Sequence, residues 1–294
     1  MAATLPALVM GIVQYGLPAL GVIAFSVSCA MIWELLMDKA MKRPASIDNG
    51  DAALIGLLFA MMLPATTPWW AVLVGTFVAV IIGKQIFGGI GCNPLNPVLV
   101  AVAVLMLSWK GMLDFNESLA SYDLGFNMFY PLTAVKHFGT RALSDYSIAG
   151  FLLGQQPGSI GSTFGLGLII GGAYLILRGF IRWELSLSFL AGILIAALLF
   201  NLADPDKYGG PLLHLFSGYT LLGAFFLATE DSSSPVNLAP MLIYGAGAGV
   251  LTILIRNLGV FVDGVVFSIL IMNIANPLLD KIRPKAMGKG IEHA

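Results

Sequence analysis

Charged residues are scarce in this chain of 294 residues, and their scarcity excludes most classes of soluble protein. Asp, Glu, Lys and Arg make up only 11% of the sequence, whereas a soluble domain uses about a quarter to cover its surface. The formal net charge is −1, from 15 basic and 16 acidic residues that form no basic stripe. A nucleic-acid-binding protein with a basic surface is therefore excluded.

Cysteine and histidine, the usual metal ligands, are also rare. The two cysteines, Cys29 and Cys92, cannot form a CxxC metal site or the ligand set of an iron–sulfur cluster. The three histidines, His137, His214 and His293, are too few and too scattered for a haem or zinc site. The sequence therefore predicts no metal site.

Apolar residues dominate instead, at 58% of the chain, with a mean hydropathy of +0.89. They form repeated runs of about 20 residues, the length that crosses a bilayer. This pattern predicts an all-α, polytopic integral membrane protein, one membrane domain over 1–294 with about eight to ten transmembrane helices, several of them short or broken. The predicted helices end near Tyr15 and then cover 17–37, 52–63, 69–86, 98–109, 148–153, 164–180, 185–202, 212–228, 241–255 and 265–279.

The first predicted helix is short for a membrane span. About 14 residues rise roughly 21 Å, less than the roughly 30 Å hydrocarbon core. We therefore expect either a partial first helix or a start upstream, with the N-terminus truncated inside the helix. A signal peptide is the alternative, but the positively charged region that begins one is missing.

Basic residues in short loops predict the orientation, because such loops face the cytoplasm. Three clusters follow or separate the predicted helices, and we place all three, and the C-terminus, on the cytoplasmic side. The clusters are Lys39, Lys42 and Arg43; Arg178 and Arg182; and Lys281, Arg283, Lys285 and Lys289.

Two distant stretches resemble each other. Residues 53–59 (ALIGLLF) match residues 220–226 (TLLGAFF), and each is followed by a polar break that contains a proline, Pro68 or Pro235. An internal repeat would bring both breaks to one interface, where membrane proteins commonly bind ligands. A chance resemblance between apolar segments is equally compatible with so short a match. The predicted repeat halves are about 50–110 and 217–280.

A polar, glycine-rich stretch at 83–97 follows an apolar helix. Its glycines let backbone approach a flat ligand closely, and Asn93 and Asn96 offer two amides. Their spacing predicts that both amides lie on one face of a helix. The alternative is a structural re-entrant turn in which the asparagines cap neighbouring helices.

A second polar segment, 229–235, begins with Thr229, Glu230 and Asp231 directly after an apolar run. Carboxylates at that position are costly inside hydrocarbon and therefore suggest a function. They could receive a cation, hydrogen-bond a ligand or lie in the headgroup region.

Other polar groups are given structural interpretations. We expect Glu34 and Asp38 to be solvated near the end of the second helix, and His214 to be a hydrogen-bonded interfacial histidine. The turn at 157–163 precedes a helix, as phosphate-binding turns do. It lacks the Gly-Lys-Ser/Thr ending of a nucleotide-binding loop, so the signal is weak.

Taken together, these segments resemble the RnfD/NqrB family, most closely RnfD, over nearly the whole chain. The resemblance lies in 83–97, 157–171, 214–230 and 263–277, followed by Arg283-Pro284. It implies a multi-pass flavoprotein subunit in the cytoplasmic (inner) membrane of a prokaryote, within a ferredoxin:NAD oxidoreductase complex of the Rnf type. Such a subunit passes electrons through the bilayer, coupled to Na⁺ or H⁺ translocation. It has no complete active site alone, and its partners are iron–sulfur and flavin subunits.

The resemblance also implies a non-covalent flavin, riboflavin or FMN, among the helices. Carried over to this sequence, its ligands are Asn93, Asn96 and Glu230, with Lys84 and Thr229 as second choices. An isoalloxazine ring is flat and largely apolar with one polar edge, so an apolar pocket with a few converging polar groups suits it.

A covalent FMN is not expected. The family attaches FMN to a threonine, and the matching run at 127–132 has Tyr130 at that position. Thr133 is out of register, and Thr220 belongs to a different segment of the family.

Two other functions remain compatible with the sequence. One is a solute channel or transporter similar to urea transporters, because broken helices and repeats also suit permeation. The other is a scaffold subunit that has lost its flavin. Flavin absorbance of the purified protein distinguishes the redox function from both.

Overall fold

The computed structural model describes residues 1–143 and 146–282. The chain is 69% helical, and the described residues contain no strand. The predicted all-α class is therefore confirmed. Arg283, Lys285 and Lys289 of the third basic cluster, Pro284 and His293 lie outside the described residues.

The α-helices of the described residues are short and long by turns, as the apolar runs predict. A π-helical stretch extends α4 over Val78–Ile82, and another extends α12 over Gly223–Leu227. In chain order the helices are α1 (Leu5–Tyr15), α2 (Leu17–Ala40), α3 (Asp51–Met62), α4 (Trp69–Phe77), α5 (Pro97–Ser108), α6 (Phe115–Ser118), α7 (Pro131–Phe138), α8 (Ile148–Leu153), α9 (Gly165–Leu177), α10 (Trp183–Ala203), α11 (Pro211–Phe216), α12 (Thr220–Leu222), α13 (Leu238–Leu258) and α14 (Val265–Leu279).

The helical segments that could cross a membrane fall into two groups. Within the described residues, four are long and apolar enough: α2, α10, α13 and the continuous stretch Trp69–Phe87. Five further apolar helices have between 10 and 17 residues, too few to cross roughly 30 Å of hydrocarbon as a single helix. Short and broken helices among long ones are what the sequence predicts for this integral membrane protein.

The single span predicted over 212–228 is wrong, because the structure breaks it between α11 and α12. Gly218 adopts a left-handed backbone (φ 69°) that ends the first helix. The polar groups of the break are satisfied by neighbours: Tyr219 N donates to Asp263 Oδ2 at 2.7 Å, and Ser217 Oγ donates to Leu213 O at 2.6 Å. Irregular backbone is stable at this depth only with such partners.

The C-terminus of α3 also ends inside the protein. Three carbonyls there accept hydrogen bonds: Met61 O from Gly161 N (2.9 Å), Leu63 O from Ile160 N (3.0 Å) and Met62 O from the Tyr219 hydroxyl (2.7 Å). Two of these donors belong to the turn at 157–163. Its N–H groups therefore cap a helix C-terminus, which accounts for the turn without a phosphate.

The two candidate repeat halves have the same order of elements. In each, a short helix leads to a polar break, then to an apolar helix and on to a further one: α3, α4 and α5 in the first half, α12, α13 and α14 in the second. The last helices of the two halves, α5 and α14, pack against each other. On this order we propose that the halves are an internal repeat.

Glycines allow α10 and α13 to pack with their backbones close together. A Cβ atom on Gly192 would lie 2.5 Å from Ala246 O, and one on Gly245 would lie 2.7 Å from Leu185 O. Both distances are shorter than a carbon–oxygen contact allows. Small residues at the interface are a common means of close helix packing in membranes.

We predict that Gly192→Ala destabilises the protein by about 1–3 kcal/mol, because the added methyl group forces α10 away from α13. Gly21→Ala is the matched control: it lies in α2 with open space around it, and replacing a helical glycine there gains about 0.5–1 kcal/mol. Unfolding of both variants in detergent measures the difference. Equal stability of the two variants would contradict the close packing.

Candidate functional site

A cleft of about 340 Å³ opens between the N-terminal and C-terminal segments of the fold, within the range of about 300–1,000 Å³ typical of ligand pockets. All five residues predicted for the flavin line it. Its walls are mostly apolar, with polar groups from four segments of the chain. The polar lining comprises Thr4, Asp51, Lys84, Asn93, Asn96, Thr229, Glu230, Asp231 and Ser232, and the apolar lining includes Leu54, Ile55, Leu58, Phe180, Ile181, Phe225 and Phe226.

Asn93 and Glu230, which are 137 positions apart in sequence, meet in this cleft. Asn93 Nδ2 donates to Glu230 Oε1 at 2.7 Å. Ser232 donates both to that carboxylate oxygen and to Asn93 Oδ1, and Ser233 donates to the other carboxylate oxygen. The structure therefore brings the asparagine stretch and the acidic segment together as one hydrogen-bonded group.

Asn96 caps a helix at the edge of the cleft. Its Oδ1 accepts from Val98 N and Leu99 N at 3.0 and 3.2 Å, and its Nδ2 donates to Leu227 O at 2.9 Å. The prediction that Asn93 and Asn96 share a helical face is wrong, because α5 begins only at Pro97 and Asn93 lies in the turn before it. Asn96 instead holds α5 against the π-helical stretch of α12, which makes it a positioning residue.

Lys84 follows the π-helical stretch of α4 and is almost completely buried, with 1% of its side chain exposed. It forms ion pairs with Glu34 and with Asp51, the second at 2.7 Å between Nζ and Oδ2. These contacts join α2 and α3 to the start of the glycine-rich stretch. Lys84 therefore fixes one wall of the cleft and also lines it.

The expectation that Glu34 and Asp38 are solvated is wrong, since both are buried. Glu34 is buried because it pairs with Lys84. Asp38 is buried because its Oδ2 accepts from both the N–H and the hydroxyl of Ser46, each at 2.8 Å. Buried carboxylates need such partners, and here later segments of the chain supply them.

Thr229 lies at the end of the π-helical stretch, where its hydroxyl donates to Phe225 O at 2.9 Å. Two other polar residues of the cleft were not predicted from the sequence. Ser232 bridges Asn93 and Glu230, and Asp51 presents a side chain that is 34% exposed. Asp51 carries the same signal that drew attention to Glu230, a carboxylate adjoining an apolar run.

Tyr130 occupies a buried position at the start of α7, where it is the residue before Pro131. Its ring lies 5.0 Å from that of Phe115, and it borders a cavity of only about 70 Å³. Its hydroxyl has no hydrogen-bond partner among the described residues. Thr133 is buried one turn further along the same helix.

His214 is not the hydrogen-bonded interfacial histidine that we expected. It is only 3% exposed, and in the described part of the chain neither ring nitrogen has a hydrogen-bond partner. Its backbone carbonyl does accept, from Thr220 Oγ1 and from Arg256 Nη1. The break between α11 and α12 buries the ring, and the apolar run gave no sign of that break.

Fold and cleft together define an integral membrane protein of long and broken helices that encloses a mostly apolar ligand cleft. The chain belongs to the NQR2, RnfD, RnfE family, whose model matches residues 1–288. This confirms the resemblance identified from the sequence.

Curated relatives cover nearly the whole chain, and each is the subunit termed D of its complex. The chain is 37% identical to that of the Na(+)-translocating ferredoxin:NAD(+) oxidoreductase complex of Acetobacterium woodii, over 95% of this chain and 85% of the relative. It is 35% identical to that of the proton-translocating ferredoxin:NAD(+) oxidoreductase complex of Clostridium ljungdahlii, over 95% and 86%. It is 36% identical to that of the ion-translocating oxidoreductase complex of Pseudomonas aeruginosa, over 98% and 90%.

We predict that Lys84→Met destabilises the protein by about 3–5 kcal/mol, because it leaves the buried Glu34 carboxylate unpaired. Adding Glu34→Gln to that variant should recover part of the loss. Lys39→Met, an exposed lysine at the end of α2, is the control and should change stability by less than about 0.5 kcal/mol. Thermal unfolding in detergent measures all three, and a Lys84→Met variant as stable as the control would refute the structural role of the ion pair.

Proposed function

We propose that this chain is the RnfD-type membrane subunit of an Rnf-type ion-translocating electron-transport complex. It passes electrons through the bilayer while the complex moves Na⁺ or H⁺. The names of relatives that match the chain over nearly its full length support this assignment. The observation that carries it in the structure is the Asn93–Glu230 hydrogen bond in the cleft, which joins two polar segments inside an apolar protein.

The chain acts as one part of a multi-subunit redox-driven pump and has no complete active site alone. Its proposed partners are the iron–sulfur and flavin subunits of the complex, through which electrons enter. The names of two relatives give different ions, Na⁺ and H⁺. Membership of the family therefore supports ion coupling in general.

The cleft fits a non-covalently bound flavin. The apolar side chains of Leu54, Leu58 and Phe226 form walls suited to a flat ring. Asn93 and Glu230 offer amide and carboxylate oxygens at one side, where the polar edge of the ring would bind. A flavin bound there would supply one- and two-electron transfer, while the protein orients it and keeps water away from its apolar face.

The charges of the cleft favour an uncharged flavin, riboflavin, over FMN. Three carboxylates, Asp51, Glu230 and Asp231, line the cleft together with a single cation, Lys84. Lys84 is already paired with Asp51 and with the buried Glu34. A phosphate group would therefore enter an environment with excess negative charge, and like charges repel strongly where water is scarce.

We also propose that the mouth of the cleft faces the cytoplasm of a prokaryotic inner membrane. Arg43 donates to Gly88 O at 3.2 Å, next to the glycine-rich rim of the cleft. Arg182 lines a neighbouring cavity that shares Asp231 with the cleft. Two of the basic clusters thus lie around one rim, as the positive-inside rule expects of a cytoplasmic surface. The C-terminus follows α14 and is proposed to lie on the same side.

We predict that the full-length protein binds riboflavin at least tenfold more tightly than FMN, and that Asn93→Leu weakens riboflavin binding by tenfold or more. That variant removes the amide and leaves the Glu230 carboxylate with fewer partners. Flavin fluorescence titration in detergent, after removal of bound flavin, measures the affinities.

Asn49→Leu is the matched control, because Asn49 is exposed and outside the cleft, and it should bind like the original protein. A folded, colourless protein that binds no riboflavin but mediates urea uptake in liposomes would overturn the redox proposal in favour of solute transport. Failure of both activities would favour a scaffold subunit.

We propose further that Tyr130 leaves this subunit without covalent FMN. A phenol fills the position at which the family's threonine carries the phosphoester, and its ring is buried against Phe115. After denaturing electrophoresis we expect no flavin fluorescence at the mass of this chain. A fluorescent band at that mass would overturn this point and leave the non-covalent site unaffected.

A further inference from the structure

A second, much smaller cavity lies apart from the cleft, among α7, α11, α13 and the loop before α11. Its volume is about 40 Å³. The polar side chains that line it come from Lys136, Lys207, His214, Arg256 and Asn257. None of these residues lines the cleft described above.

Hydrogen-bond donors around this cavity lack acceptors. The outer nitrogens of Arg256 are bonded: Nη1 donates to His214 O at 2.9 Å, and Nη2 donates to Thr220 Oγ1 at 2.9 Å and to Asp263 Oδ1 at 3.0 Å. Its Nε and the amide nitrogen of Asn257 have no partner in the described chain. Both groups can only donate, and each costs about 1–3 kcal/mol if buried unsatisfied.

His214 adds a third donor, since a neutral imidazole has one N–H and neither of its nitrogens is bonded within 1–143 and 146–282. Buried polar groups are nearly always paired, so unpaired ones point to a bound water or ion. Three such residues around one cavity point to a single acceptor that serves all of them.

The charges of the cavity favour an anion as that acceptor. Three of its lining residues are cationic: Lys136, Lys207 and Arg256. Lys136 is held beside the cavity, because its Nζ donates to two carbonyls in the loop after α13, at 2.7 and 2.8 Å. The carboxylate in contact with these cations is Asp263, which is paired with Arg256. Two positive charges remain without a partner carboxylate among the lining residues.

We infer that this cavity is a binding site for one monatomic anion of halide size. A water occupies about 30 Å³ in the liquid, so 40 Å³ accommodates one ligand of that size and excludes phosphate. The anion would accept from Arg256 Nε, Asn257 Nδ2 and His214. Because these residues belong to α11 and α13, and Lys136 to α7, the anion joins three helices.

Thermal unfolding of the full-length protein in detergent tests this site. Replacing sodium gluconate by sodium chloride at constant ionic strength should raise the midpoint saturably, since a ligand that binds only the folded state stabilises it. Asn257→Leu should increase the chloride concentration for half of the shift by at least tenfold, and Asn49→Leu should leave it unchanged. Identical curves in chloride and gluconate, or an undiminished chloride effect in Asn257→Leu, would overturn the inference.

A second measurement needs no variant and covers the case in which Asn257→Leu does not fold. Crystals of the unaltered protein grown with sodium bromide should show an anomalous peak in the cavity beside Arg256 Nε. Density there without an anomalous signal would identify a water and refute the anion site. Neither measurement depends on flavin binding, so its outcome is separate from that of the proposed function.

Discussion

The amide of Asn96 fixes the geometry on which the cleft depends. Its oxygen accepts from two N–H groups at the start of α5, and its nitrogen donates to Leu227 O at the end of a π-helical stretch. Hydrogen bonds weaken steeply with length and angle, so this one amide holds both elements in register. The segments next to each of them carry Asn93 and Glu230, which then meet at 2.7 Å.

A buried ion-pair network has the corresponding role on the other wall. Lys84 binds one carboxylate from α2, Glu34, and one from α3, Asp51. Buried ion pairs are weak sources of net stability, since desolvation offsets much of the attraction, but breaking one is costly. The network therefore acts mainly by excluding other arrangements of these elements. It also leaves more carboxylates than cations around the cleft, which gives the site its preference for an uncharged ligand.

Much of the fold could be predicted from apolar periodicity, and what could not be predicted depended on distant partners. The last helix, Val265–Leu279, begins and ends where the sequence places it. The break within 212–228 was missed because one glycine in an apolar run is a weak signal, and its polar groups are satisfied by Asp263, more than 40 positions away. Glu34 was misplaced for the same reason: a carboxylate at a helix end looks alike in sequence whether water or Lys84 binds it. The meeting of Asn93 with Glu230 was predictable from polarity in an apolar context, whereas the role of Asn96 as a helix cap required the backbone.

The hydrogen bonds within the cleft limit how it can recognise a ligand. The Glu230 carboxylate already accepts from Asn93, Ser232 and Ser233. A ligand therefore finds few unsatisfied groups, and it either uses the remaining lone pairs or displaces an existing bond at little net gain. Affinity must then come mainly from apolar walls such as Leu58 and Phe226, with the polar side supplying orientation and discrimination. A flat, largely apolar ring with one polar edge meets both requirements. A small polar solute such as urea does not, because it cannot cover the apolar walls and would lose more hydration than the cleft returns.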